Sequence, residues 1–214
     1  MTATTRPLVT RFDASELGGS DFAGVAVPGG KFRASVLRGS DFSHADLTGS
    51  AFTGSDVTDA NFDGANLTDA TMSMIALTRA SFRDSILVRT DFSKSGLTET
   101  QFAEVALVDV KLRMTDLRRT LFENCTFTGV DFAYSDLRGL HLDRATLTSV
   151  KFDRAALSGV TFRGATLRDV SFRAWSRKDR NAIRTISFDG ACMDKLTYAG
   201  LKGLGADLSN VTVQ

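Results

Sequence analysis

Every fifth residue from Phe12 to Phe172 is Phe, Leu, Val or Met. The series Phe12, Leu17, Phe22, Val27, Phe32, Leu37 continues through 33 consecutive positions with no insertion or deletion. Only 43% of the chain is hydrophobic, so chance does not produce this run. A second column lies two residues earlier: Thr10, Ser15, Ser20, Val25, Gly30, Ser35 and onward to Val170. It is small at 31 of 33 positions, the exceptions being Ile75 and Leu140. The remaining three positions of each five are mostly polar, charged or glycine.

A period of five fits neither a 3.6-residue helix nor a long strand. It fits a coil with short straight sides. In an extended segment alternate side chains share a face, so the small residue and the large one point inward together and the residue between them points outward. The next two residues turn a corner, which accounts for glycines such as Gly19, Gly24, Gly39 and Gly49. The large residues alternate with a period of ten. Phe fills 14 of 17 positions in one series and Leu 13 of 16 in the other.

Units such as "ADLTG" (Ala45 to Gly49), "ANLTD" (Ala65 to Asp69), "SDFAG" (Ser20 to Gly24) and "SDLRG" (Ser135 to Gly139) resemble the pentapeptide-repeat family, whose consensus is roughly A(D/N)Lxx. The resemblance implies an all-β fold, a right-handed quadrilateral β-helix with four units per coil. Residues 10–174 would make about eight coils, with a C-terminal coil or cap beyond. Residues 1–9 are expected to form an N-terminal tail or cap, because solenoid ends need covering.

The register fails after Phe172. Residues 173–185, "RAWSRKDRNAIRT", carry five basic residues against one acid, Asp179. They read as a basic insertion loop, with Trp175 as a candidate aromatic anchor and Arg177, Lys178 and Arg180 beside it for a protein partner. In residues 186–214 the pattern resumes one residue out of phase at Phe188, Met193, Tyr198, Leu208 and Val213. This segment reads as shifted repeats. The competing reading makes Met193 to Gly205 a capping helix, with Asp194 as N-cap and Gly205 as its stop.

The stretch "DANFDGANLTDA", residues 59–70, imitates the start of an EF-hand loop. The twelfth position is Ala70 where a bidentate Glu is required, and Phe62 belongs to the inward column, so calcium is not expected. His44 and His141 fall about five rungs apart on one face, roughly 24 Å, too far to share a metal. Cys125 sits in the small inward column and should be an inert thiol. No GxSxG, Walker or Rossmann signature occurs. The chain is therefore expected to be no enzyme and to need no cofactor. No apolar run approaches a membrane span, and "MTATTRPLVTRF" has no signal-peptide hydrophobic region, so a cytoplasmic location is expected.

Net charge is +1, which gives no general attraction to nucleic acid or anionic lipid. The register distributes that charge unevenly. We number as face 1 the side bearing Phe12, as face 2 that of Leu17, as face 3 that of Phe22 and as face 4 that of Val27. Outward positions on face 1 hold nine basic and four acidic residues, on face 2 five and six, on face 3 three and seven, and on face 4 two and four. Between Asp21 and Asn124, the residues Asp21, Asp41, Asp46, Asp63, Asp69, Asp84, Glu104, Asp109 and Glu123 make an acidic stripe on faces 3 and 4, opposed within that stretch only by Arg83 and Arg89. Carboxylates along a rod can imitate duplex phosphates for a DNA-binding protein. The best understood members of the family that this chain resembles are DNA mimics that bind DNA gyrase, and they typically dimerise end to end. The resemblance thus implies a protein partner with DNA gyrase as the specific candidate, and a homodimer through an end coil. The alternative is a rigid scaffold binding some other protein.

Overall fold

The computed structural model describes residues 10–214. The tail or cap expected at residues 1–9 lies outside them. Each extended residue pairs in parallel with the residue twenty positions on. Face 3 begins with Asp21↔Asp41↔Asn61↔Ser81↔Gln101, and face 4 with Ala26↔Asp46↔Asn66↔Ile86. Twenty residues therefore close one turn of a right-handed quadrilateral β-helix, and the next turn lies directly above it. The sides are short enough that most register as single bridges. Strands of three residues occur at Gln101–Ala103, Ala106–Val108, Leu121–Glu123, Thr126–Thr128, Thr146–Thr148 and Thr166–Arg168.

The corners obey one rule. From Ala14 to Asp169, every fifth residue has a left-handed backbone, with φ between 51° and 75°. Of these 32 residues, 21 are not glycine, so glycine follows from the corner rather than creating it. Valine, isoleucine, threonine and proline never occur there, as left-handed sterics require. The Asp or Asn of the repeat supports the same corner. Its carboxylate or amide oxygen accepts the N–H two residues on, as Asp46 does from Thr48 at 3.1 Å and Asn66 from Thr68 at 3.1 Å.

Inside, the phenylalanines of faces 1 and 3 form two stacks. Phe32 and Phe52 lie 4.7 Å apart with nearly parallel rings, as do Phe42 and Phe62 at 5.0 Å. The stacks meet edge to face, with Phe52 and Phe62 5.8 Å apart at 87°. Both arrangements are favourable for aromatic quadrupoles. Leucines close the core from faces 2 and 4. Where the small column is Ser or Thr, its hydroxyl commonly donates to the carbonyl of the large residue 23 positions earlier, as Ser50 does to Val27 at 2.9 Å and Thr100 to Leu77 at 2.8 Å, while Ser85 and Thr115 donate to the carbonyl three residues earlier. Among the described residues no buried side-chain polar atom lacks a partner, so this polar column carries no desolvation penalty.

The ninth coil departs from the rule. Residues 173–185 are not merely a loop, because they contain helix α1 (Arg177–Ile183). Ser176 caps it: its hydroxyl accepts from the Asp179 N–H while Asp179 accepts from the Ser176 N–H, a capping box. The helix stands where face 2 would be, with Ile183 buried. Phe188 then stacks on Phe162 at 5.4 Å and 4°, and Met193 pairs with Leu167.

The shifted-repeat reading gives way over part of its length. Residues Lys195–Leu204 form helix α2, capped by Asp194 and ended by Gly205 at φ 83°. The spacing of Tyr198, Leu201 and Leu204 explains it, since steps of three residues place all three on one helical face against the core. Repeat geometry returns at its end, where Thr212 and Val213 pair with Cys192 and Met193.

Candidate functional site

The nine acids of the stripe do not form one column. Asp21 and Asp41 lie along the middle of face 3 and Asp46 along the middle of face 4. Asp84 and Glu104 occupy successive left-handed corners between faces 3 and 4, and Asp69 and Asp109 lie at the corner leading to face 1.

Several of them have structural work. Asp21, Asp41 and Asp46 accept the N–H of their own corners, from Ala23, Ser43 and Thr48. For Asp41, the Ser43 N–H is the main reason the carboxyl sits below the ordinary aspartate range. Asn61 and Asn66 do the same job without charge. Asp63 accepts the Arg83 N–H at 2.8 Å and the Ser81 hydroxyl at 2.5 Å. Asp69 is held by both Arg89 nitrogens at 2.6 and 2.7 Å, and that pairing lowers its pKa.

That pair is the stripe's single ion pair. The other nine ion pairs among the described residues lie on faces 1 and 2. Asp84, Glu104, Asp109 and Glu123 remain. They are exposed, belong to three successive coils, and among the described residues make neither an ion pair nor a corner hydrogen bond. Glu104 has one side-chain partner, the Asn124 amide at 2.6 Å.

Sequence reasoning missed the apolar side chains among them. Ile86 on face 4 and Leu121 on face 3 are 49% and 56% exposed. Both occupy outward mid-face positions, where the repeat calls for polar residues; that breach was the available signal. Large apolar side chains interleaved with unpaired charge suit a protein interface better than a merely solvated face.

The look-alike calcium stretch is dispersed. Asp59 pairs with Arg79 at 2.6 Å, Phe62 is fully buried, and Asp69 points to Arg89. Among the described residues no three His, Cys, Asp or Glu side chains are placed to hold a metal. His141 Nδ1 lies 2.9 Å from the Thr161 hydroxyl. Cys125 is buried, and burial pushes its thiol up to about 11.

At the other candidate surface, Trp175 is 70% exposed. Its arginine comes from an unexpected place. Arg177, Lys178 and Arg180 are exposed on α1, but the guanidinium over the indole ring is that of Arg154, one coil earlier, at 4.1 Å. Arg154 also lies 5.4 Å from the Tyr134 ring, which Arg113 approaches to 5.6 Å. These residues border a trough of about 500 Å³ across face 1.

Residues 75–152 match the family model described as a pentapeptide repeat region, and residues 15–54, 45–84 and 141–173 match that for pentapeptide repeats in eight copies. No curated protein matches the sequence. Among solved structures, the chain is similar to a trypsin-treated variant of QnrB1, a plasmid-mediated fluoroquinolone resistance protein. The two are 17% identical with a TM-score of 0.51, over 96% of this chain and 90% of that one. It is also similar to HetL, a pentapeptide repeat protein involved in heterocyst differentiation regulation from the cyanobacterium Nostoc sp. strain PCC 7120. There identity is 19% and the TM-score 0.46, over 86% of this chain and 90% of HetL. At such identity the likeness to QnrB1 concerns the fold alone.

Proposed function

From the premise that the chain belongs to the pentapeptide-repeat family, we propose that it is a non-catalytic rod whose acidic flank occupies the DNA-binding surface of a type II topoisomerase, DNA gyrase. On this reading it inhibits the enzyme or protects it from antibiotics. The observation that supports this reading is the group Asp84, Glu104, Asp109 and Glu123, four exposed carboxylates without counter-ions on three successive coils. Fields from such a group attract a surface built to meet phosphates. The charge is sparser than that of a duplex, which carries one phosphate charge per ~1.7 Å of axis. Ile86 and Leu121 would supply apolar contact that a duplex lacks.

The test is gyrase supercoiling with the protein added at micromolar concentration, with and without ciprofloxacin. The reading requires either inhibition or relief of the drug's effect. Neither would sink it. If activity is found, reversing Asp84, Glu104, Asp109 and Glu123 to Lys should abolish it, and full activity in that variant moves the contact elsewhere.

The second reading, a rigid adaptor for another protein, is favoured by the cation-lined trough beside Trp175. Deleting residues 173–185 would test it badly, because Ile183 is part of the core. A pull-down with Trp175→Ala is cleaner, and partners unchanged from wild type would exclude Trp175 as an anchor.

A further inference from the structure

The trough on face 1 combines aromatic side chains with cations, and its hydrogen-bonding groups are unequally engaged. Three carboxylates line it, and each already has a partner. Asp131 takes Arg113 at 2.8 Å, Asp153 takes the Ser171 hydroxyl at 2.9 Å and Arg173 at 3.5 Å, and Asp169 takes the Ser149 hydroxyl at 2.8 Å. The cations Lys151 and Arg154 are different. Among the described residues neither has a carboxylate within ion-pair reach. Arg154 donates only a long bond of 3.3 Å to the Tyr134 hydroxyl and otherwise lies against the two rings. Stacking fixes the guanidinium plane without using its donors for an anion.

Trp175 is fixed too. Its backbone N–H is accepted by Asp179, the residue that completes the α1 capping box, at 3.1 Å, and its ring lies against the Arg154 guanidinium at 4.1 Å. The indole is therefore a braced, exposed platform rather than a loose loop side chain.

We propose that this trough binds an extended acidic peptide segment of a partner protein, with carboxylates on Lys151 and Arg154 and an apolar side chain against Trp175. Charge complementarity selects this occupant. The donors left over are cationic, so the ligand must supply anionic acceptors. The three lining carboxylates disfavour a phosphate polyanion, whose charge is continuous, but they tolerate separated carboxylates. The dimensions agree: the lining runs over four rungs, and the three steps between them at roughly 4.8 Å span about 14 Å, the length of about four extended residues. The surface is separate from the carboxylates of faces 3 and 4, and the proposal does not depend on a topoisomerase.

Trp175 is the only tryptophan in the chain, so intrinsic fluorescence reports on this site alone. The protein is titrated with a capped tetraglutamate peptide and, separately, with a four-nucleotide oligothymidylate. The expected result is a saturable change with the peptide, its midpoint moved roughly tenfold by Lys151→Ala or by Arg154→Ala. Lys31→Ala, on the same face but six coils away, should leave it unmoved. Both trough side chains are exposed, so these variants should keep the wild-type melting temperature. No saturable change by about 1 mM peptide overturns the proposal, as does wild-type affinity in both variants. A response to oligothymidylate equal to or stronger than that to the peptide also overturns it, in favour of nucleic-acid binding.

Discussion

The carboxylate of Asp194 accepts the backbone N–H of Asp169 at 2.6 Å. In the regular coils that N–H belongs to the carbonyl nineteen residues on, as Asp69 N–H donates to Val88. Above Asp169 the chain has become helix, and no such carbonyl is offered. Asp194 substitutes for it with one oxygen, while the other caps α2 through the N–H groups of Leu196 and Thr197 at 2.8 and 3.0 Å. Thr197 completes the seal, its hydroxyl accepting the Val170 N–H at 3.0 Å. One carboxylate thus satisfies the corner at Asp169 and starts helix α2.

Asp194→Asn should therefore weaken the cap. Burial pushes this carboxyl up, but the bonds from Thr197, Asp169 and Leu196 outweigh it and bring it down to about 2. Since the folded pKa lies below the unfolded value, the stabilisation is present above pH ~4 and is lost as pH falls towards 2. Urea unfolding at neutral pH should show a loss of about 1 kcal/mol for the variant, because the amide nitrogen cannot accept the backbone N–H that the second carboxylate oxygen takes. The difference from wild type should narrow between pH 4 and 2; a constant difference would mean that the charge is irrelevant.

Phe82 is fully buried between Phe62 and Phe102, at 5.0 Å from each. Replacing it by Ala should cost about 3–5 kcal/mol, because neighbouring rungs are tied by hydrogen bonds and cannot collapse into the gap. Equilibrium denaturation measures this, and a cost under about 1 kcal/mol would show that the stack relaxes freely.

Met74 holds a left-handed corner at φ 57° with its side chain 54% exposed. Met74→Gly should leave stability unchanged or raise it by up to about 1 kcal/mol, because backbone strain is relieved and little contact is lost. Met74→Val should lower it by more than about 1 kcal/mol. The order of the three melting temperatures decides the matter, and valine equal to glycine would contradict the corner rule.

The two cysteines should separate in a thiol-titration assay. Cys125 is buried and its thiol is pushed up to about 11, while Cys192 is partly exposed. A thiol reagent at pH 8 should label Cys192 in native protein and both residues only in denaturant. Prompt native labelling of both would mean that the sixth coil opens readily.

The coils were legible because one local rule repeats. Phe or Leu inward, a small residue two before it and a left-handed corner two after it are properties of neighbouring residues, visible in "ANLTD" without knowledge of the rest. The C-terminal cap was less legible. Tyr198 and Leu208 keep the five-residue phase by position, although Tyr198 packs from a helix and Leu208 from a returning repeat. The acidic residues were visible but their roles were not. Asp41 and Asp84 are the same letter, yet Asp41 holds a corner and Asp84 does not. Nor did spacing indicate that Arg154 and Trp175, 21 residues apart, would stack.

The twenty-residue turn has a consequence for how such a rod can change. Adding or removing five residues rotates everything downstream by a quarter turn, so that the acidic and basic sides would fall out of line part-way along. Adding twenty lengthens the rod by one storey and rotates nothing, which lets length drift by duplication while surface chemistry stays aligned. Between Phe162 and Phe188 the chain takes 26 residues instead of twenty. Helix α1 absorbs the surplus as a bulge on one wall, and the storey above it still faces the same way.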